Sequence, residues 1–502
     1  MAGVAANTPA SGTAATPAPA QMSIEDIWRN PSLSGLTLSR TGKYLAATAP
    51  HKGRMNLFVL DLDTRKGSLL TSFEDFDVLG VTWVEDERLL FSLGQANSPT
   101  GAGQFDGGGL FVVNRDGSTF RRLAPTLREV RNSGQYVLRG LSVHRTIPGN
   151  TNEIIAEGNI TTADSVDLYK LNLNNGRTEL LTSGRPASLT FDWMTDSKFV
   201  PRITIANVKD ELTRVVYYRK DANSPWEEIA RYSRDKGDVF VPLAFESDDR
   251  MLQVATNRGR DTMAVFRYDP DTKKLGEQIA AHPRFDMGAD SQGENVPGVI
   301  WDQRENKILG YRVNGDIPET VWIDEARARV QKTLDTAIPN AINTFQRTPD
   351  GNRFLVNSYS DTKPRRFYLY DEAKRTLEEI GAARPWLDGK LTQQRPIRYK
   401  TRDGLEIPGY LFLPRDYKEG TKLPTVVHIH GGPAARADFY SGGFGVNEGQ
   451  LFASRGYAVI VPNFRITPGF GQKIYQAGFG TIGRQMSEDH EDAAKWAVEQ
   501  GF

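Results

Sequence analysis

The sequence contains no cysteine. Disulfide bonds, thiolate metal sites, iron–sulfur clusters and a cysteine nucleophile are therefore excluded. Histidine is also scarce, with six residues in 502, and no His-Glu-x-x-His pattern occurs. This excludes the zinc site of the peptidases that carry that motif.

An excess of charge of either sign is also missing, because 62 basic residues balance 62 acidic ones. A surface that neutralises phosphates needs a basic excess, so we expect no nucleic acid partner. No apolar run approaches the roughly 18 residues that cross a bilayer, and no polybasic anchor is present. We therefore expect no membrane partner either.

The first 22 residues are predicted to be a disordered tail, because residues 1–21 are rich in Ala, Thr and Pro and uncharged. Ala18-Pro19-Ala20 resembles a small-residue cleavage site, which favours an export remnant and a periplasmic or secreted protein. The alternatives are a flexible tail without a role and a cytoplasmic protein. Ser23 and Asp26 then form a capping box that predicts a short helix.

A strand motif recurs seven times between residues 31 and 381. Each copy is a run of β-branched and aromatic residues that ends in a polar residue. Those polar residues are Asp61, Asn114, Asn172, Arg219, Asp269, Asp324 and Asp371, and they lie 47 to 58 residues apart. With the strands around each copy, the pattern predicts seven units of four strands, a seven-bladed β-propeller over residues 23–384. The alternative is a set of stacked β-sandwiches. The Gly-rich stretch 94–109 is predicted to be a mobile loop.

The pattern changes near residue 385. Residues 395–401 and 406–414 predict a hairpin, and residues 425–430 and 457–464 predict two strands buried on both faces. Helices are predicted at 445–456 and at 486–501, the second with an apolar stripe. This alternation predicts part of an α/β domain over residues 385–502.

His430-Gly431-Gly432-Pro433 follows the first of these buried strands. Glycines at the carboxyl end of such a strand let a backbone N–H point into the ligand crevice of an open sheet. HGG-type loops there supply one oxyanion-hole donor in α/β-hydrolases. A tight turn without a catalytic role is the alternative.

The chain resembles the prolyl oligopeptidase family of serine peptidases, closest to its acylaminoacyl-peptidase and dipeptidyl-peptidase branches. The segments that carry this resemblance are RDGLEIPGYLFLP (402–414), HIHGGP (428–433), FASRGYAVIVPNFR (452–465), GFGQ (469–472) and EDHEDAAKWAVEQGF (488–502). The resemblance implies a seven-bladed propeller that gates access to an α/β-hydrolase domain, short peptide substrates, and a possible homo-oligomer of the full-length protein. It makes the Gly432 N–H the first oxyanion donor and His430 its neighbour. No cofactor or metal is expected. Ile466-Thr467-Pro468 departs from the Gly-Ser usual in the family.

The family's nucleophile elbow is missing, since no Gly-x-Ser-x-Gly occurs. The resemblance places the serine roughly a dozen residues past Phe502, on a strand that pairs with 425–430. We therefore expect a fragment that lacks the Ser/Asp/His triad and is inactive alone. His490 is predicted to be an exposed helical residue and His428 a core residue.

Two other functions stay open, a propeller that binds a partner without catalysis and an esterase. Endo-, acyl-aminoacyl- and dipeptidyl cleavage are not separated by the sequence. The paired acids Glu227-Glu228 and Glu378-Glu379 resemble those that hold a substrate amine in dipeptidyl peptidases. Both pairs fall on predicted outer strands, so a solvated face is the interpretation for each.

Overall fold

A computed structural model describes residues 22–95, 106–134, 139–294, 298–302 and 307–502. The tail over residues 1–21, with Ala18-Pro19-Ala20, lies outside the described residues, and so does most of the predicted loop 94–109. The prediction that the tail includes Met22 was wrong. Met22 is only 1% exposed and packs with Ile27 and Leu387. Helix α1 (Ile24–Trp28) has the predicted capping box between Ser23 and Asp26.

Seven antiparallel sheets follow one another along the chain, and in each the strands are neighbours in chain order. We call these sheets blades 1 to 7. Blades 1 and 2 consist of β1 (Ser34–Leu38), β2 (Tyr44–His51), β3 (Arg54–Asp61) and β4 (Gly67–Leu69), then β5 (Asp77–Val84), β6 (Arg88–Gly94), β7 (Gly108–Asn114) and β8 (Phe120–Thr126). Helix α2 (Leu127–Asn132) follows β8.

Blades 3 to 5 also have four strands each. They consist of β9 (Leu141–Thr146), β10 (Glu153–Gly158), β11 (Asp167–Asn172) and β12 (Thr178–Leu180); β13 (Thr190–Thr195), β14 (Pro201–Asn207), β15 (Thr213–Tyr218) and β16 (Glu227–Ser233); and β17 (Phe240–Phe245), β18 (Leu252–Thr256), β19 (Ala264–Asp269) and β20 (Lys274–Ala281). The seven sheets confirm the predicted propeller.

Blade 6 differs from the prediction of four strands per unit. Its described strands are β21 (Val299–Asp302), β22 (Lys307–Val313) and β23 (Glu319–Trp322), and helix α3 (Glu325–Ala337) follows where a fourth strand was expected. Asp324, the polar residue of the repeat motif, caps this helix by accepting the Arg327 N–H at 3.1 Å. A turn residue that also suits a helix N-cap therefore redirects the chain.

Blade 7 closes against blade 1. Its strands are β24 (Ile342–Arg347), β25 (Arg353–Tyr359), β26 (Arg366–Asp371) and β27 (Thr376–Ala382). Leu45 of blade 1 packs with Leu355 and Leu369 of blade 7. Arg353 adds a bond to the Asp63 carboxylate at 3.0 Å. Hydrophobic contact and charged hydrogen bonds thus hold the first and last blades together.

The segment after Ala382 begins with a 3₁₀ turn (Pro385–Leu387). It continues with β28 (Gln394–Lys400), β29 (Glu406–Phe412), β30 (Thr425–Val427), the short pair β31 (Asp438–Phe439) and β32 (Gly442–Gly443), α4 (Phe444–Ala453), β33 (Ala458–Pro462), α5 (Gln472–Gln476) and α6 (Gln485–Glu499). The main sheet has the order β28-β29-β33-β30, in which only β30 and β33 are parallel. Val459 and Val461 face α4, whereas Ile460 packs with α6, so helices cover both faces of β33.

The predicted strand 425–430 was too long, and the prediction that it is buried on both faces was wrong. β30 has three residues, all only half-buried, and lies at the edge of the described sheet. An edge strand receives less cover than a central one, which explains its partial exposure. Helix α5 was not predicted, because five residues are too short for a periodic pattern to show.

The first strands of the blades line a central channel. Cavities of about 360 Å³ and about 810 Å³ lie along it, the first beside β9, β13 and β17 and the second beside β1, β5 and β24. In blades 5 to 7, the loops after the second strands contact the C-terminal segment through Asn257, Asn314 and Asp361. Within the described ranges, no helix has the length and apolar character that a membrane crossing requires.

Candidate active site

The predicted oxyanion loop, His430–Arg436, begins where β30 leaves the sheet. The His428 N–H still bonds to the Ile460 carbonyl at 2.8 Å, and the chain then turns away. Parallel pairing of β30 with β33 places this loop at the carboxyl ends of both strands. That edge of an open α/β sheet is where ligands bind.

The buried His430 ring holds the start of the oxyanion loop against Phe464. It is 3% exposed and stacks on Phe464, with 4.6 Å between the ring centroids. Its Nδ1 lies 2.8 Å from the Gly431 carbonyl oxygen, which fits an Nδ1–H donor. Phe464 also meets the edge of His490 at 4.8 Å. The aromatic stack therefore joins the loop to the segment after β33 and to α6.

Gly432 has a backbone conformation that suits glycine. Its φ is +137°, and a Cβ added there would lie 3.0 Å from the Ala435 Cβ. The residue is exposed, and in the described part of the chain its N–H has no hydrogen-bond partner. An exposed donor on a fixed loop can bind an oxyanion without losing an internal bond.

The far end of the loop is bound to the propeller. The Arg436 guanidinium donates to the carbonyls of Asn314 and Gly315, which directly follow β22, and lies 4.2 Å from the Phe470 centroid. The Gln292 amide donates to the Ala434 carbonyl at 3.0 Å. Burial lowers the pKa of Arg436. The loop is thus held by both parts of the molecule.

Blade 5 and the loop that follows it bind the C-terminal segment around α5. Asp286 accepts the Gly469 N–H at 3.2 Å, and its own N–H bonds to the Gly469 carbonyl at 3.1 Å. Asp261 accepts the Lys473 N–H at 2.7 Å and so caps α5. Asn257 donates to Gln472 at 3.0 Å. These four bonds fix the loop 469–473 beside the oxyanion loop.

Sequence reasoning missed the propeller side of this site. Gln292, Asp286 and Asp261 belong to turns, where polar residues are common, so nothing in their identity marked them. One signal was available, since 17 residues separate β20 from β21 and most connections have about 4–6 residues. Such length favours a functional loop.

Two carboxylates near the loop have raised pKa values. Burial raises the pKa of Asp290 to about 7, with the negative charge of Asp286 and Glu294 adding to the effect. Its Oδ1 accepts the N–H groups of Gln292 and Glu294, which fixes the turn that presents the Gln292 amide. Burial also raises the pKa of Asp438, which accepts the Gly445 N–H at the start of α4.

The predictions for the other histidines were wrong. His490 is half-buried against Phe464 and is not exposed, and burial lowers its pKa. His428 is half-buried and is not a core residue, because β30 ends before it. The paired acids lie on outer strands as predicted. Glu228 binds Arg231 at 2.8 Å and Glu378 binds Arg65 at 2.6 Å.

No metal centre is evident in the described ranges, where no three His, Asp or Glu side chains converge. Stabilisation of a developing oxyanion at Gly432 is the step for which the geometry is suited.

Comparison with known proteins shows similarity to peptidases of the prolyl oligopeptidase family. The family model for the prolyl oligopeptidase family matches residues 443–502. Dipeptidyl aminopeptidase BIII of Pseudoxanthomonas mexicana is 27% identical over 484 residues, which cover 95% of this chain and 65% of that protein. Dipeptidyl-peptidase 5 of Porphyromonas gingivalis is 35% identical over 305 residues, which cover 53% of this chain and 42% of that protein. The chain thus spans less than two thirds of these relatives.

Solved structures support the fold. A puromycin-hydrolyzing peptidase of Mycobacterium tuberculosis superposes with a TM-score of 0.64 at 16% identity, covering 97% of this chain and 74% of that one. A prolyl endopeptidase structure also gives 0.64 at 13% identity, covering 95% and 68%. The chain is thus similar to the prolyl oligopeptidase family, in its sequence over residues 443–502 and in its fold of seven blades followed by an α/β-hydrolase segment.

Proposed function

We propose that this chain forms the propeller and the oxyanion-loop part of a serine peptidase that acts on short peptides. The observation that carries the proposal is the exposed Gly432 N–H, which lies between the His430–Phe464 stack and the hydrogen bond from Gln292 to the Ala434 carbonyl. A donor fixed in this way acts in the tetrahedral intermediates of acyl transfer. The propeller would limit access to peptides that pass its channel.

The same proposal includes that these 502 residues do not hydrolyse peptides by themselves. They contain no Gly-x-Ser-x-Gly elbow, and catalysis of this type needs a serine activated by histidine. A further strand beside β30 would carry that elbow in this fold. The edge position of β30 in the described sheet is compatible with such pairing.

For the cleavage type we propose a dipeptidyl peptidase, because both relatives compared above bear that name. The outer-strand acids Glu227-Glu228 and Glu378-Glu379 are ion-paired at the surface and do not serve as an amine anchor in this proposal. Release of dipeptides from free N-termini, and not from acetylated ones, is the expected specificity.

The test joins this chain to the remaining hydrolase segment of dipeptidyl aminopeptidase BIII. We expect hydrolysis of dipeptide nitroanilides with a free amino group. Gly432→Ala should lower kcat by about 100-fold or more, with KM little changed, because the donor moves. Gly431→Ala is the matched control, since a Cβ there meets nothing within 4 Å. Equal kcat values for the two variants would refute the assignment of Gly432.

A further inference from the structure

The larger channel cavity, of about 810 Å³, has an unusual balance of charge. Four arginines and two acids line it. The acids are Glu85 and Asp302, and Glu85 is bound by Arg40 at 3.3 Å and by the Gly149 N–H at 2.8 Å. The remaining arginines are Arg312, Arg327 and Arg347, which come from blades 6 and 7 and from α3.

These three arginines have no acidic partner among the described residues. Other half-buried arginines of the propeller do bind carboxylates, as Arg353 binds Asp63 and Arg185 binds Asp167. The Nε atoms of Arg327 and Arg347 are buried and have no hydrogen-bond partner in the ranges that the structure describes. Arg327 lies 5.5 Å from the Phe354 centroid, and this ring contact provides no acceptor for its Nε–H. Burial lowers the pKa of Arg312.

The Trp322 indole adds another N–H donor to those of the three arginines at this cavity. Trp322 stacks on Phe345 at 5.1 Å, and its Nε1 is buried without a partner in the described part of the chain. The indoles of Trp83 and Trp193, in blades 2 and 4, donate to the carbonyls of Thr37 and Val166. A buried donor without an acceptor destabilises a protein, so an acceptor from a ligand would recover that free energy.

We propose that this cavity is a carboxylate-binding site for peptides, formed by Arg312, Arg327, Arg347 and the Trp322 N–H. Guanidinium groups match a carboxylate geometrically and stay charged when half-buried. The cavity is open to the channel, since first strands of blades 1, 2, 6 and 7 line it. That the ligand is a peptide rests on the proposed function, whereas the site for the anion rests on the cavity itself.

Binding can be measured with this chain as it is. The probe is acetyl-tetra-alanine with a free C-terminal carboxylate, compared by calorimetry with its C-terminal amide and with an amide that carries one internal glutamate. We expect the free acid to bind at least about tenfold more tightly than the plain amide, as hydrogen bonds to charged groups predict. The glutamate peptide distinguishes binding of a side-chain carboxylate from binding of a terminal one. Tighter binding of either acidic peptide than of the plain amide supports the site. Equal binding of all three peptides would overturn it.

Substitutions of the cavity residues then test whether the carboxylate binds at these side chains. Arg347→Gln and Arg312→Gln should each weaken binding of the acid about tenfold, and Trp322→Phe should weaken it while keeping the stack on Phe345. Arg231→Gln, on the outer strand β16, is the control with the same change of charge. Without peptide, the two channel variants should keep or raise Tm, since an unpaired half-buried cation is removed. A lowered Tm with unchanged affinity would mean that these arginines are structural and would overturn the proposal.

The binding test and the hydrolysis test fail independently. Loss of carboxylate preference in this chain would leave dipeptide release by the extended protein unaffected. Absence of hydrolysis in the extended protein would leave the affinity difference between acid and amide in place. Inorganic phosphate is the third probe, and phosphate that binds where neither acid peptide does would refute a peptide ligand.

Discussion

Arg465 and Asp489 form a buried, doubly bonded ion pair between the segment after β33 and helix α6. The guanidinium Nε lies 2.8 Å from Oδ2 and Nη2 lies 2.7 Å from Oδ1, and the two residues are 3% and 0% exposed. Arg465 also binds Asp403 in the β28–β29 turn at 3.0 and 3.1 Å. One side chain therefore joins three elements of the hydrolase segment beneath the oxyanion loop.

Replacing Arg465 with methionine should destabilise the chain by about 3–5 kcal/mol, because Asp489 then remains buried without its partner. Urea unfolding followed by fluorescence measures this loss. Arg455→Ala is the control, since Arg455 is exposed just after α4 and its side chain bonds to the Leu451 carbonyl and the Ser454 hydroxyl nearby. A loss no greater than that of the control would show that the pair does not hold these elements together.

The same network predicts sensitivity to acid. Hydrogen bonds from Arg465, then from Thr401, lower the pKa of Asp403 to about 2. A carboxylate whose pKa is lowered by folding stabilises the folded state when the pH is above the ordinary carboxyl pKa of about 4. This stabilisation disappears as the pH falls through about 2. Asp403→Asn should thus be less stable than the parent at pH 6 and equal to it at pH 2. Thermal unfolding at both pH values measures the difference, and a gap that persists at pH 2 would contradict it.

Asp290 should have the opposite dependence. Its pKa is raised to about 7, so the parent chain loses stability as the pH rises from about 4 to about 7. Asp290→Asn keeps the acceptor oxygen for Gln292 and Glu294 and removes the charge. The variant should match the parent at pH 4 and exceed it by about 1–3 kcal/mol at pH 8. Glu419→Gln, an exposed residue, should show no such gain.

Gln292 should control the order of the oxyanion loop. Gln292→Glu keeps the size of the side chain and removes the donor to the Ala434 carbonyl. Amide hydrogen exchange over residues 431–436 should become faster, whereas β33 should be unaffected. Gln278→Glu, at an exposed position of β20 in blade 5, is the control with the same change of side chain. Unchanged exchange in the loop would show that the propeller contact does not order it.

Much of the fold could be predicted because it is encoded locally. The recurrence of strand motifs every 47 to 58 residues predicts the blades, and alternation of strands and helices predicts the hydrolase segment. The helix in place of a fourth strand in blade 6 depends on the capping of α3 by Asp324, which resembles the turn residue of the other units.

The site was only partly readable from the sequence. His430 and Gly432 belong to one short motif, so the loop could be found from its spacing. The contacts of Gln292 with Ala434 and of Asp286 with Gly469 join residues 142 and 183 positions apart. Patterns in one sequence do not reveal contacts between such distant residues. The half-burial of His490 likewise depends on its packing against Phe464 in the folded chain.

We propose that this chain holds the oxyanion loop but lacks the attacking serine. The direct measurement is exposure of the purified 502 residues to a fluorophosphonate probe and to a free dipeptide nitroanilide. We expect no covalent label on these residues and no release of nitroaniline. A labelled serine within residues 1–502, together with turnover that the label abolishes, would contradict it.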